Sequence, residues 1–156
     1  MADIFEVLKT DHDRHRDMLE ELADAKRKDR AELFEAFRVE VSAHAAAEEE
    51  SLYATMLADP KLRDEGRHSV AEHKELDDLF GELQELKPEN EAWGKKFEEM
   101  RHRYTHHIDE EEEEMFPAAE KHFTTEKAEE LGKKFDRRKP RELEIAEATD
   151  SGSDKE

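Results

Sequence analysis

Two short stretches of this chain carry a histidine followed four residues later by a glutamate inside an acidic run. They are His44-Ala-Ala-Ala-Glu48-Glu49-Glu50 and His107-Ile-Asp-Glu-Glu111-Glu112-Glu113. On a helix, residues i and i+4 lie on one face, so each copy presents an imidazole beside a carboxylate. A further histidine precedes each copy by a similar distance, His12 before His44 and His73 before His107. Each half of the chain thus offers two imidazoles and one carboxylate. Nitrogen and oxygen donors without thiolate suit iron, manganese or zinc.

These donors need rigid elements to bring them together, and the composition supplies helices. Among 156 residues there are only 5 Gly and 4 Pro, and charged residues make up 46%. Asp3 with Glu6 reads as the capping pair of a first helix over about 4–26. Asp29 with Glu32 reads as the start of a second, running to Asp59-Pro60. A third is expected over 62–86, halting at Pro88, and a fourth from Glu91 until Pro117 kinks or ends it. Thr124 is placed to cap a short fifth helix over 126–135, and the polar residues after Pro140 are expected to fray. The expected fold is therefore all-α, an antiparallel up-down-up-down four-helix bundle over residues 1–135 with a short fifth helix. Residues 136–156 are expected to form a charged, flexible tail.

Steps of three and four along each helix trace the inward seams. The first helix gives Phe5, Leu8, His12, His15, Leu19 and Leu22. The second gives Leu33, Phe37, Val41, His44, Glu48 and Leu52. The third gives His73, Leu76, Phe80 and Leu83, and the fourth Trp93, Phe97, Met100, Tyr104, His107 and Glu111. Every apolar seam is interrupted by histidine, and two of them by glutamate as well. The seam selects Glu48 and Glu111 from their acidic runs and leaves Glu49, Glu50 and Glu112 to Glu114 for solvent. An unpaired buried carboxylate costs on the order of several kcal/mol, and bound cations are the simplest compensation. The reading is a dinuclear centre. His12 and His44 ligate one metal, His73 and His107 the other, and Glu48 and Glu111 bridge. Six residues cannot fill two octahedra, so the remaining positions hold water, hydroxide or oxo, or a small exogenous ligand.

The same segments resemble the hemerythrin-like family, also called the HHE cation-binding domain. The resemblance is carried by Leu8-Lys9-Thr10-Asp11-His12, by His44-x-x-x-Glu48-Glu49 with Leu52-Tyr53, and by Glu72-His73 leading into Leu76 and Leu79. His106-His107-Ile108-Asp109-Glu110-Glu111, ending in Met115-Phe116-Pro117, completes it, and it covers roughly residues 3–135. It implies a non-haem site with two iron ions, oxo- or hydroxo-bridged, that binds dioxygen or reacts with peroxide or nitric oxide. Family members carry a second histidine one turn after the third-helix one, where this chain has Asp77. The gap is open to Asp77, His15 or solvent, which moves weight from reversible oxygen carriage toward redox reactivity or sensing.

Other residues read more plainly. His15 could replace His12 as a ligand. His106 points sideways, and His68, His102 and His122 are expected in solvent. Tyr104 reads as core, the angle of Tyr53 is ambiguous, and Arg137 to Lys139 read as a solvated face. A ferritin-like oxidase would need Glu-x-x-His on two helices. Glu65-x-x-His68 and Glu99-x-x-His102 have that spacing but miss the seams. An iron or redox sensor without turnover is the other alternative, although no output segment follows Pro140.

The net charge of −19 argues against nucleic acid and anionic lipid surfaces. With 0 Cys, thiolate sites and disulfides are excluded. No apolar run approaches a membrane span and the N-terminus lacks a signal-peptide pattern, so the expected setting is cytoplasmic, as a monomer or weak oligomer.

Overall fold

Asp3 and Glu6 close a reciprocal capping box, each side chain accepting from the other's backbone N–H, and this starts helix α1 (Ile4–Asp24). In this computed structural model, residues 2–152 are described. A 3-10 turn (Arg27–Asp29) leads into α2 (Arg30–Glu48). Asp29 stands at the N-cap as expected, but its side chain makes no capping bond. The rod then passes through a π-helical segment (Glu49–Tyr53) into α3 (Ala54–Ala58). Helix α4 (Arg63–Glu85) returns along it. Helix α5 (Glu91–Glu110) comes next, with a second π-helical segment (Glu111–Met115) and α6 (Phe116–Glu120). Pro117 occupies the first turn of α6, where a missing N–H is tolerated, so the rod continues through it.

The fifth helix is much longer than expected. Capped by Thr124, whose hydroxyl accepts from the Lys127 N–H, α7 spans Thr125–Glu147 and runs straight through Pro140. It packs along α1 and α2. Gly132 permits that approach, since a Cβ there would sit 3.0 Å from the Ala2 carbonyl oxygen. Burial offsets the proline's cost through Arg38. Its guanidinium, 2% exposed, donates to the carbonyls of Ala146 and Thr149 and to the Ser151 hydroxyl. The Ser151 N–H donates to Gln84 and the Gly152 N–H to Asp77, so residues 136–152, expected to fray, are tied to α2 and α4. The rest of the expected tail, 153–156, lies outside the described residues.

The seams are those read from the heptads, with Leu33 only partly buried and its neighbour Phe34 inside. The apolar core falls into two clusters. One gathers Phe5, Leu8, Leu52, Met56, Phe116 and Phe135, the other Leu19, Phe37, Leu76, Phe80, Trp93 and Met100. The buried histidines and glutamates separate them as a polar layer. Among the described residues, no helix is long and apolar enough to cross a membrane.

Candidate metal centre

The four rods bring His12, His44, Glu48, His73, His107 and Glu111 into one layer, each 7% exposed or less. Glu48 Oε1 lies 3.6 Å from His44 Nε2 and 3.3 Å from His73 Nε2. Glu111 Oε1 lies 3.3 Å from His12 Nε2 and 3.6 Å from His107 Nε2. Each carboxylate therefore spans the two halves of the layer. Ligand atoms converge in two overlapping groups, His12–His44–Glu48 and Glu48–His73–His107.

Every one of these imidazoles is oriented from behind by a carboxylate on its Nδ1. His12 pairs with Glu112 at 2.7 Å, His44 with Asp11 at 2.9 Å, His73 with Glu49 at 2.8 Å and His107 with Glu72 at 2.7 Å. A carboxylate only accepts, so Nδ1 carries the hydrogen and Nε2 is turned inward. This arrangement fixes the tautomer and raises ligand basicity in metal-binding histidines. Glu49 and Glu112, assigned to solvent by the seam, are corrected here. They sit one residue beyond the seam and reach back across the interface to a neighbouring helix's imidazole.

The inward atoms lack protein partners. His12 Nε2, His44 Nε2, His107 Nε2, both oxygens of Glu48 and Oε1 of Glu111 are buried without a hydrogen bond. So many orphaned polar atoms in one layer would destabilise the bundle, and the donor set is the one that cations satisfy. The residues present thus fit a metal pair.

The electrostatics agree. Burial holds His44 down to about 3, so it is a neutral imidazole at pH 7. Burial also opposes charge on His12, but the Glu111 and Glu112 carboxylates win and raise it to about 9. Burial pushes the Glu48 carboxyl far up, aided by the Glu111 charge, whereas His107 and His12 hold Glu111 well below the usual range against its own burial.

Both π-helical segments start directly after or at the seam glutamates, at Glu49 and at Glu111. A π-turn adds a residue to the helical turn and shifts the phase of the residues beyond it, a feature frequent at functional sites. After Glu48 it turns Tyr53 into the core, where its hydroxyl donates to Oε2 of Glu111. The seam leaves Tyr53 ambiguous because it assumes an unbroken α-helical period.

His15 has no nitrogen left for a metal. Its Nε2–H donates to Glu40 at 2.8 Å, and its Nδ1 takes the Tyr104 hydroxyl at 2.7 Å. Lys139 is drawn into the same network, 2.7 Å from Asp11 and 2.5 Å from Glu40, so the solvated-face reading of that residue is corrected. Asp77 accepts from the Gly152 N–H through Oδ2 at 3.1 Å. His102 and His122 are exposed, as are Glu65 and Glu99, so neither Glu-x-x-His pair faces the layer.

Three clefts reach the layer, two of them at His107 or His73 and the remaining one at the shared Glu111. One of about 240 Å³ is lined by Glu72, Leu76, Tyr104 and His107. A second of about 260 Å³ ends on Glu111, and a third of about 340 Å³ on His73. The other half is covered, with His12 stacked on Phe116 at 6.0 Å and His44 edge-on to Phe135 at 5.5 Å.

Comparison with known proteins agrees with the helical fold. The crystal structure of a hemerythrin HHE cation binding domain-containing protein from Mycobacterium kansasii is 26% identical, covering 93% of this chain and 90% of that one with a TM-score of 0.81. No curated protein matches the chain. The family model for the hemerythrin HHE cation binding domain matches residues 3–119, three-quarters of the sequence, and the chain belongs to that family.

Proposed function

We propose that the layer holds two iron ions and that the protein binds dioxygen, or reacts with peroxide or nitric oxide, beside them. His12 and His44 would hold one iron, His73 and His107 the other, with Glu48 and Glu111 shared. The observation that carries this reading is the set of inward Nε2 and carboxylate oxygens that no protein group satisfies. When bound, the iron pair supplies redox equivalents and an open position for a small ligand.

The chain's own residues do the rest. The carboxylates of Glu112, Asp11, Glu49 and Glu72 hold the imidazoles in one orientation. Phe116 and Phe135 exclude water from one side, while the clefts leave the His73–His107 side approachable. The position where a third imidazole is absent belongs to that approachable half. Tyr53 and Tyr104 stand at the layer with buried hydroxyls, placed to hold or pass a proton to Glu111 and His15.

The test is a preparation from iron-supplemented cells, assayed for metal per chain and for its optical spectrum through reduction and re-exposure to oxygen. About two irons with a reversible spectral cycle identifies ligand binding, and rapid loss of added peroxide identifies turnover. A chain that holds no metal under these conditions overturns the proposal.

A further inference from the structure

A second group of ligand atoms lies outside the buried layer. His68, Glu72 and Glu110 each bring one donor atom within 4.8 Å of the others. His68 Nε2 is 3.0 Å from Oε1 of Glu110 and 3.5 Å from Oε2 of Glu72. His106, more than half exposed, puts its Nε2 3.4 Å from the other oxygen of Glu110. Imidazole and carboxylate are again combined without thiolate, a set suited to iron, manganese or zinc.

Its position gives this group a role. It lines the cleft of about 260 Å³ between α4 and the α5 rod, whose lining carries six carboxylates and no Lys or Arg. A cleft of one charge sign concentrates counter-ions. Glu111 belongs to the lining of the same cleft, 2% exposed and with Oε1 unpartnered, so the outer group and the buried layer share a wall. Glu72 joins them directly: Oε2 faces His68 while Oε1 accepts from His107 Nδ1 at 2.7 Å. A hydrated cation cannot enter a packed bundle without exchanging water for protein donors, and here the donors run in sequence from surface to interior.

We propose that His68, Glu72 and Glu110 form an outer divalent-cation site that receives metal and passes it by Glu111 to the buried centre. This rests on the metal-centre reading under Proposed function. The outer site binds more weakly because it is wet, half-exposed and keeps part of the cation's water. His68 and Glu110 make no hydrogen bond to the six inward residues, so altering either one leaves those six and the Glu72–His107 bond in place.

The experiment follows Co²⁺ uptake by metal-free protein in stopped flow, in the parent, His68→Ala, Glu110→Gln and the exposed-surface control His122→Ala. Melting curves confirm that each variant is folded. At limiting Co²⁺, His68→Ala and Glu110→Gln should load about tenfold more slowly, while the final Co²⁺ content and spectrum match the parent and the control. Loading at the parental rate in both variants overturns the proposal. A separate readout does not depend on the buried centre: Mn²⁺ added to the protein should broaden the NMR signals of His68 before those of His102 and His122. Equal broadening at all three overturns the outer site. Absence of tight Co²⁺ uptake in the parent, with selective broadening at His68 retained, overturns the buried centre alone.

Discussion

The Tyr53 hydroxyl donates to Oε2 of Glu111, a residue 58 positions further along the chain and on a different rod. The bond leaves Oε1 of Glu111 as the oxygen turned toward His12 and His107. Tyr53→Phe removes the donor without changing the ring's packing. We expect metal affinity to fall about 10-fold or more, the scale found when partners behind metal ligands are lost. Equilibrium competition with a chelator measures it, and unchanged affinity would make Tyr53 a packing residue only.

Glu49 offers a cleaner separation of metal binding from folding, because it is 40% exposed and its carboxylate meets only His73. Glu49→Gln should weaken metal binding about 10–100-fold, since the amide no longer fixes the His73 tautomer. The metal-free protein should melt within about 0.5 kcal/mol of the parent, as for other exposed substitutions.

Proton release on metal binding follows from the charges in the layer. At pH 7 His12, raised to about 9, carries a proton that ligation displaces, and the upward push on Glu48 works in the same direction. His44, held near 3, is already neutral and contributes none. Binding should release about one proton per chain or more, read by calorimetry in buffers of different ionisation enthalpy. The sign for stability is also set. His12's folded value lies above its unfolded 6.5, so its contribution is complete below pH 6.5 and is lost as pH rises through about 9. Glu48 slopes the same way, so the metal-free chain should lose stability over that window while the metal-loaded chain does not.

Much of this architecture is legible in the chain. The four seams and the six inward residues come from the heptad period, because a helix buried on one side has to repeat its buried positions every three to four residues. The Asp3 and Thr124 caps are legible for the same local reason. What the period cannot show is its own interruption. The π-turns at Glu49 and Glu111 move Tyr53 inward, and they depend on packing between rods. Glu49, Glu72, Asp11 and Glu112 are also hidden as partners, since each serves a histidine on a different helix or a different part of the chain. The length of α7 escapes the sequence because proline is a local signal, whereas the grip of Arg38 on the carbonyls of Ala146 and Thr149 is tertiary.

That grip is itself testable. Arg38→Ala leaves the buried Ala146 carbonyl, the Thr149 carbonyl and the Ser151 hydroxyl without their donor, at a cost of about 1–3 kcal/mol. Hydrogen exchange should show residues 141–152 losing protection while α1, α4 and α5 keep theirs. Uniform protection along α7 would mean that the helix persists past Pro140 for another reason.

The most direct measurement of the central claim is anomalous diffraction at the iron edge from crystals of the iron-loaded protein. Two peaks are expected, one between the Nε2 atoms of His12 and His44 and one between those of His73 and His107, with Glu48 and Glu111 touching both. A single peak, or iron lying away from these six residues, would contradict the account.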